Sequence, residues 1–544
     1  MNRSFCKLTA MFLTAVFLLS LCLPAAFAAD ASETTVTFTD SAATASGASD
    51  GLSIKGTDVK INASGTYRFT GACAQGTIVV KKNVKGVTLI LDGLTLSTSA
   101  TAPITCNKGT EVTIVAAAGS VNTLADDQYN NDDVYTDETA YPDIENAVIK
   151  CKDGSNVTIS GTGTINVNAY GKNGVKGGAD LYEEDDDGNA TDTLLSTASL
   201  TIEDVTLNVS IRHSYQDPED PGSYDGDAIK SDKELNILSG NITVSANDDG
   251  IKSDYTLNIG AEGTTGPTIK VAKAAEGMEG AVVNVYSGNV YVTAADDGVN
   301  AANSDLTGYA FSYNQYGGYI YVNCANGDGV DSNGTINLNG GTLEVFAPTQ
   351  GDGDPLDADG GVVFGGATVL GVGHNAMQQR YTASTPYVTF GASAGGMGGP
   401  GGFPGGPGRT GAQDATAADA FGGGSTLVKA GSTITIKDSS GNTLYTATAV
   451  RDASYIVFAS PDLASGASYT LVSDGSQVAT ASASTAASGG TQPGDPGSGQ
   501  PGNFPTPGEN TEGDSGSLFA GLLKLLSAVW SWVVSMIGKL AALF

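Results

Sequence analysis

Asn247–Asp254 reads NDDGIKSD, and a close copy, DGDAIKSD, begins 22 residues earlier at Asp225. The cluster returns as DDGVNAAN from Asp296 and as DGVDSN from Asp328. Aligned on the glycine or its substitute, the preceding acid is Asp227, Asp249, Glu276, Asp297, Asp328 and Asp354, with Asn173 in an earlier copy. Asp225, Asp232, Asp248, Asp254 and Asp296 crowd the same corner. Carboxylates at this density suit a hard cation. Ca2+ takes about six to eight oxygens at about 2.3–2.6 Å, from carboxylates and backbone carbonyls, and this corner supplies both. No copy has EF-hand spacing, and the period is too long for the nonapeptide calcium roll. The competing reading is structural: Asp-Gly is an ordinary turn dipeptide, in which Asp bonds its own backbone and Gly supplies positive φ.

The interval between copies says what positions these acids. From Ala228 onward the spacing is 22, 27, 21, 31 and 26 residues, and the 54 residues from Gly174 to Ala228 make about two periods. Asn146-Ala147-Val148, 27 residues before Gly174, reads as an earlier, degenerate copy. Between copies the chain alternates apolar and polar residues, as in ELNILSGNITVSAN and TINLNGGTLEVFAP, with Gly/Asn corners. Within the repeat no window sustains a helical period, which excludes helical repeats. Short strands repeating every 20–31 residues mark a solenoid, and the pattern predicts an all-β parallel β-helix. Stacked coils lie about 4.8 Å apart with Ile, Val and Leu inside. Residues from about Thr66 to Gly373 make roughly eleven or twelve coils, some 50–55 Å of stack.

Stacking turns the aligned acids into a column. Each neighbouring pair of carboxylates costs about 1 kcal/mol in water and about 4 kcal/mol at an effective dielectric of 20. Lys230 and Lys252 offset part of this, but the later copies carry Glu279, Asn300, Asp331 and Asp357 instead. The expected remedy is Ca2+ held by Asp225, Asp227, Asp232, Asp248, Asp249, Asp254, Asp296, Asp297, Asp328 and Asp331.

Two acidic insertions interrupt the repeat, Asp126–Glu145 and Asp180–Asp192. One reading makes them solvated loops. The other makes them a wall of carboxylates and tyrosines (Tyr129, Tyr135, Tyr141, Tyr182) on which sugar rings stack. In GYAFSYNQYGGYIYVN, Tyr319 and Tyr321 alternate as strand residues that pack, while Tyr313 and Tyr316 read as loop residues. Tyr182, Tyr313 and Tyr316 are therefore the ligand candidates. Arg212, in NVSIRHSYQD, is the one candidate base for lyase chemistry beside calcium; a strand-end ion pair is its plainer role. Asp248/Asp249 and Asp296/Asp297 could act as glycosidase carboxylate pairs, but every coil has such acids, so nothing singles them out.

The 544 residues carry a net charge of −32, with 58 acidic against 26 basic side chains. That balance excludes nucleic acid as an electrostatic partner. Residues 1–28 read as a signal peptide, with Arg3 and Lys7 ahead of an apolar run and a small-x-small site at Ala26-Phe27-Ala28. The expected order continues with the β-helix over 29–390, a Gly-rich loop over 391–424 and a β capping unit over 425–482. A Pro/Gly linker over 483–517 follows, then an amphipathic helix over 518–544. Lys524 to Lys539 leave only fourteen uncharged residues between them, short of a membrane span. That helix suits an interfacial membrane anchor or an assembly contact. Export permits disulfides, and the spacing leaves open whether Cys106 and Cys151 pair.

The run DGDAIKSDKELNILSGNITVSANDDGIKSD, the repeat DDGVNAAN, the Gly-Gly-Met-Gly-Gly-Pro loop and the trailing YIVFASPDLASGASYTLVSDG resemble the clostridial carbohydrate-binding domain family of secreted β-helices, over about Gly65–Gly475. The resemblance implies a right-handed, calcium-bearing coil, similar in shape to pectate lyases, that binds a plant polysaccharide such as polygalacturonate. The expectation is thus a secreted or cell-surface, non-catalytic, calcium-dependent glycan binder. The alternatives are a β-helix polysaccharide lyase and a structural adhesin.

Overall fold

The inward positions of the repeat stack in register. Val175, Ile229, Ile251, Met278, Val299, Val330 and Leu356 are successive partners in parallel pairings, each at most 1% exposed. The computed structural model describes residues 33–137, 139–185, 189–213, 226–349, 353–375, 379–391 and 426–487. The expected signal peptide, the C-terminal helix, Asp225 and most of both the Gly-rich loop and the linker lie outside the described residues; the expected linker's first residues join the fold, with Ser484 bridging Tyr387. Among the described residues there are strands and no helix.

The result is a parallel β-solenoid with three strand-bearing faces. On the acidic face, ten successive parallel pairings join eleven strands, from Asp58–Ile61 to Leu356–Ala358. Ten steps of about 4.8 Å give a column about 48 Å long. Strict alternation of buried and outward residues builds the interior. Each fully buried Val, Ile or Leu side chain contributes about 1.5–3 kcal/mol of burial free energy.

The second face carries a ladder unanticipated from the sequence. The side-chain amides of Asn258, Asn284, Asn314 and Asn337 donate in turn to the Oδ1 of Asn236, Asn258, Asn284 and Asn314, at 2.8–3.0 Å. Tyr313 lies on this face too, and not in a loop. It sits in strand Ser312–Gln315 between Val283 and Ile336, wholly buried, with its hydroxyl 3.2 Å from Gln315 Oε1. It is a core residue, which removes it from the ligand candidates.

Both ends of the stack are covered, as exposed strand edges require. At one end Thr34–Phe38 pairs parallel with Gly65–Cys73, and the hairpin Leu52–Lys55/Asp58–Ile61 leads into the first coil. At the other, the buried strand Tyr455–Ala459 runs antiparallel to both Thr368–Gly373 and Tyr387–Gly391. A four-stranded antiparallel sheet, from Thr433–Lys437 to Ser476–Ser482, packs there on its own apolar cluster. The insertion after Asn173–Gly177 is no plain loop: Leu181–Glu184 and Ala190–Ser196 pair as an antiparallel hairpin.

Candidate functional site

The acid column forms because the residue before each glycine points across to the next coil. Asn173 Oδ1 accepts the Asp227 backbone N–H at 3.0 Å, Asp227 Oδ1 that of Asp249 at 3.2 Å, and Asp297 Oδ1 that of Asp328 at 2.6 Å. Asp328 Oδ1 accepts that of Asp354. One oxygen of each such acid is thus spent on the stack, and in Asp227 the other faces Lys230. The glycines do not have positive φ. A Cβ on Gly250, Gly277, Gly298 or Gly329 would stand 2.3–2.6 Å from the carbonyl oxygen of the next coil. Close approach, rather than turn conformation, demands glycine here.

A second column runs beside the first, three residues after each of these acids. In register it reads Lys150, Lys176, Lys230, Lys252, Glu279, Asn300, Asp331, Asp357. Its lysine half matches the acids locally. Lys176 lies 3.5 Å from Asp232, and Lys230 lies 3.7 Å from Asp227 and 3.9 Å from Asp254. Lys252 sits 2.8 Å from Asp249 and 2.5 Å from Glu279. Burial opposes the charge on Lys252, but Asp249 and Glu279 more than offset it, so its pKa stands well above the ordinary value. The clusters Asp227/Asp248/Asp249 and Asp249/Glu276/Glu279 therefore already hold ammonium groups. Burial and neighbouring carboxylates still push Asp248 to about 7 and Glu276 to about 8.

The acid half differs. Asp328, Asp331 and Asp357 offer carboxylate oxygens all within 4.8 Å of one another. Burial, together with the surrounding acids, pushes Asp328 to about 9, Asp331 to about 7 and Asp357 to about 6. Burial is the largest influence on each of the three, and among the described residues none of them forms an ion pair with a lysine or arginine. Gln379, 7% exposed, donates its amide to Asp357 Oδ1, while its own Oε1 is buried without a hydrogen-bond partner. Asn300 Oδ1, one rung below Asp331 in the same column, is likewise buried and unpartnered. Such orphaned oxygens are costly unless something meets them.

Of the sequence candidates, Asp328 and Asp331 come together, and Asp357 and Gln379 join them from outside the expected set. Asp227, Asp248 and Asp249 also converge, though beside lysines. Asp232 and Asp254 pair with lysines outside these triads, Asp296 is exposed, and Asp297 serves the Asp328 backbone. Tyr182 is 38% exposed on the hairpin. Tyr316 is 46% exposed and stacks on Tyr286 at 5.2 Å and 9°. Tyr319 donates to Glu344 at 2.9 Å and Tyr321 packs on Phe346.

Arg212 donates to Asn168 Oδ1 at 3.2 Å and opens on a cleft of about 720 Å3. Tyr129, Tyr135 and Tyr170 wall that cleft. Behind them Tyr141 packs against Tyr129 and Tyr135, with ring centroids 5.8 and 5.0 Å away. Asp126 anchors the loop: it accepts the backbone N–H groups of Tyr170 at 2.6 Å and Gly171 at 3.2 Å, and the Asn130 amide at 2.9 Å.

A family model described as a carbohydrate-binding domain-containing protein matches residues 55–187. A protein of the same description from Acetivibrio thermocellus is 35% identical over 134 residues, which is 24% of this chain and 44% of that relative's length. Among solved structures, the gadolinium derivative of a polysaccharide lyase-like protein from C. thermocellum shares 22% identity at a TM-score of 0.34, covering 61% of this chain and 96% of its own. The family match includes the tyrosine-bearing loop, Lys150 and Lys176, and ends before Asp227.

Proposed function

We propose that this protein binds cell-wall polysaccharide without cleaving it, through calcium at the acid end of the column, and that it acts outside the cell or at its surface. One observation carries the reading. Asp328, Asp331 and Asp357 converge without a lysine or arginine to match them among the described residues, beside the unpartnered oxygen of Gln379. The donor set fits the ion. Oxygens on opposite sides of calcium, each about 2.4 Å away, stand about 4.8 Å apart. The triad's donor atoms lie within 4.8 Å of one another. All-oxygen donors favour a hard cation. Turning the Gln379 amide over would bring its oxygen to the carboxylates, where a shared cation would retain it.

Calcium bound there would supply positive charge and open positions for carboxylate or hydroxyl oxygens of a polymer. The chain's own residues hold the three carboxylates in register and keep lysines away from them. A protein of charge −32 repels a polyuronate unaided, so local reversal of sign is what binding such a polymer requires. The description shared by the family model and the relative supports a glycan as partner.

The test is calorimetric titration of Ca2+ into the full chain and into Asp331→Asn, alongside retention on immobilised polygalacturonate with and without EDTA. Binding of Ca2+ that the substitution abolishes, with EDTA-sensitive retention, is expected. Calcium binding unchanged in Asp331→Asn would overturn the site, and retention indifferent to EDTA would overturn the mechanism. Absence of any retention would favour a structural adhesin. Lyase chemistry would need Arg212 beside this metal. The Ile229 coil next to Arg212 lies four steps from the Val330 coil, or about 19 Å. That separation favours binding over cleavage.

A further inference from the structure

We propose that the tyrosine-walled cleft is a second glycan subsite, independent of metal, that takes uncharged sugar residues. The proposal rests on the reading of the protein as a glycan binder, but on different residues at the other half of the column. Its volume of about 720 Å3 falls within the ordinary range for a ligand site, about 300–1,000 Å3.

The chemistry of the walls selects the ligand. Tyr170 is 45% exposed and Val134 37% exposed, both on the cleft, although the loop around them is among the most acidic in the chain. A solvated acidic loop has no need of apolar faces there. Tyr129, Tyr135 and Tyr141 brace one another, with ring centroids 5.0–5.8 Å apart, so the wall is held before a ligand arrives. A phenol ring offers a flat apolar body and a hydroxyl at its tip. A pyranose offers the complementary pair, a C–H face and equatorial hydroxyls.

The carboxylates of the cleft are already committed to the fold. Asp126 accepts three hydrogen bonds, and Asp127 Oδ1 accepts the backbone N–H groups of Ala100 and Tyr129, each at 3.0 Å. Gln128 and Arg212 remain at the cleft as polar groups for sugar hydroxyls. Charge then decides between sugar classes. Asp126–Glu145 contains eight carboxylates and no lysine or arginine. Nearby Lys172 lies 3.9 Å from Asp132 and also pairs with Asp133, and Lys152 pairs with Glu145 at 2.6 Å. A uronate entering here meets net repulsion that one guanidinium does not reverse, whereas a neutral hexosyl or pentosyl residue meets none.

Saturation-transfer NMR on the full chain in EDTA, with cellohexaose, xylohexaose, mannohexaose and hexagalacturonate as probes, tests this. At least one neutral hexasaccharide should bind and hexagalacturonate should not. Tyr170→Ala should weaken the neutral binding about tenfold or more, and Tyr170→Phe should retain most of it. Calcium-dependent retention on polygalacturonate should be the same in all three proteins. No neutral binding in EDTA, or binding equal in Tyr170→Ala, overturns the cleft proposal while leaving the calcium site standing. Neutral binding that Tyr170→Ala removes, with no retention on polygalacturonate in calcium, supports the cleft and overturns the polyuronate reading.

Discussion

The two halves of the acid column share one backbone pattern, and the electrostatic difference between them sits three residues after each acid. Around Asp249 the neighbouring column supplies Lys230 and Lys252; around Asp328 it supplies Asn300, Asp331 and Asp357. The inter-coil hydrogen bonds and the glycines are alike in both. The lysine half therefore offsets much of its charge internally, although Asp248 and Glu276 remain pushed up by burial and neighbouring acids. The acid half is built to the same pattern with acids where the lysines stood, and the proposed calcium site rests on that exchange. The acids alone do not tell the two halves apart; the residue three positions later does.

The strongest way to break this comparison is to remove a lysine. Lys252→Met leaves Asp249 and Glu279 buried without their counter-charge. It should cost about 3–5 kcal/mol of unfolding free energy, read by urea denaturation in EDTA. Asp357→Asn at the other half should leave stability in EDTA unchanged or raise it, because it removes repulsion. Equal losses in both variants would mean the halves are not electrostatically different.

A pH series sharpens the contrast. Asp328, Asp331 and Asp357 have folded pKa values of about 9, 7 and 6, above the ordinary carboxylate value near 4. The folded chain then binds more protons than the unfolded one, so metal-free stability falls as pH rises from about 4 to 9. Saturating calcium holds these carboxylates ionised and should remove their share of the slope. Asp248 and Glu276, at about 7 and 8, should keep theirs. Urea midpoints at pH 5, 7 and 9, with and without calcium, check this; identical slopes in the two series would contradict it.

The smallest effect expected comes from the glycines. A Cβ on Gly329 would stand 2.0 Å from Val345 Cγ1 and 2.6 Å from the Pro355 carbonyl oxygen. Gly329→Ala should cost about 1–3 kcal/mol and, by shifting the coil of Asp328 and Asp331, weaken calcium binding. Gly250→Ala, with 2.6 Å to the Gly277 oxygen, should cost a similar amount and leave calcium binding intact. Scanning calorimetry and calcium titration on both variants make the check.

Much of this arrangement was legible because glycine and an inward aliphatic residue recur together, which fixes register from Asn173 onward. The earlier copy was not: Ile149, rather than Val148, stacks on Val175. In Ala147-Val148-Ile149 all three side chains are buried, so alternation there gives no phase. The asparagine ladder was written openly in ELNI, TLNI, VVNV, SYNQ and TINL, yet asparagine is uncommon in strands and reads as a corner. Tyr313 was misplaced for the same reason, since Asn314 and the following glycines suggest a loop. Gln379 could not be found by periodicity at all. It lies beyond the last repeat copy and reaches Asp357 only through the packing of the final coil.

The antiparallel strand Tyr455–Ala459 has a consequence for the molecule among its own kind. A stack that grows by adding like-directed strands can extend onto a neighbour wherever its terminal edge is open. Here the final rungs of one face meet a strand of opposite direction, wholly buried and paired on both sides. The solenoid is in effect a fibril of fixed length, and this reversal is its terminator.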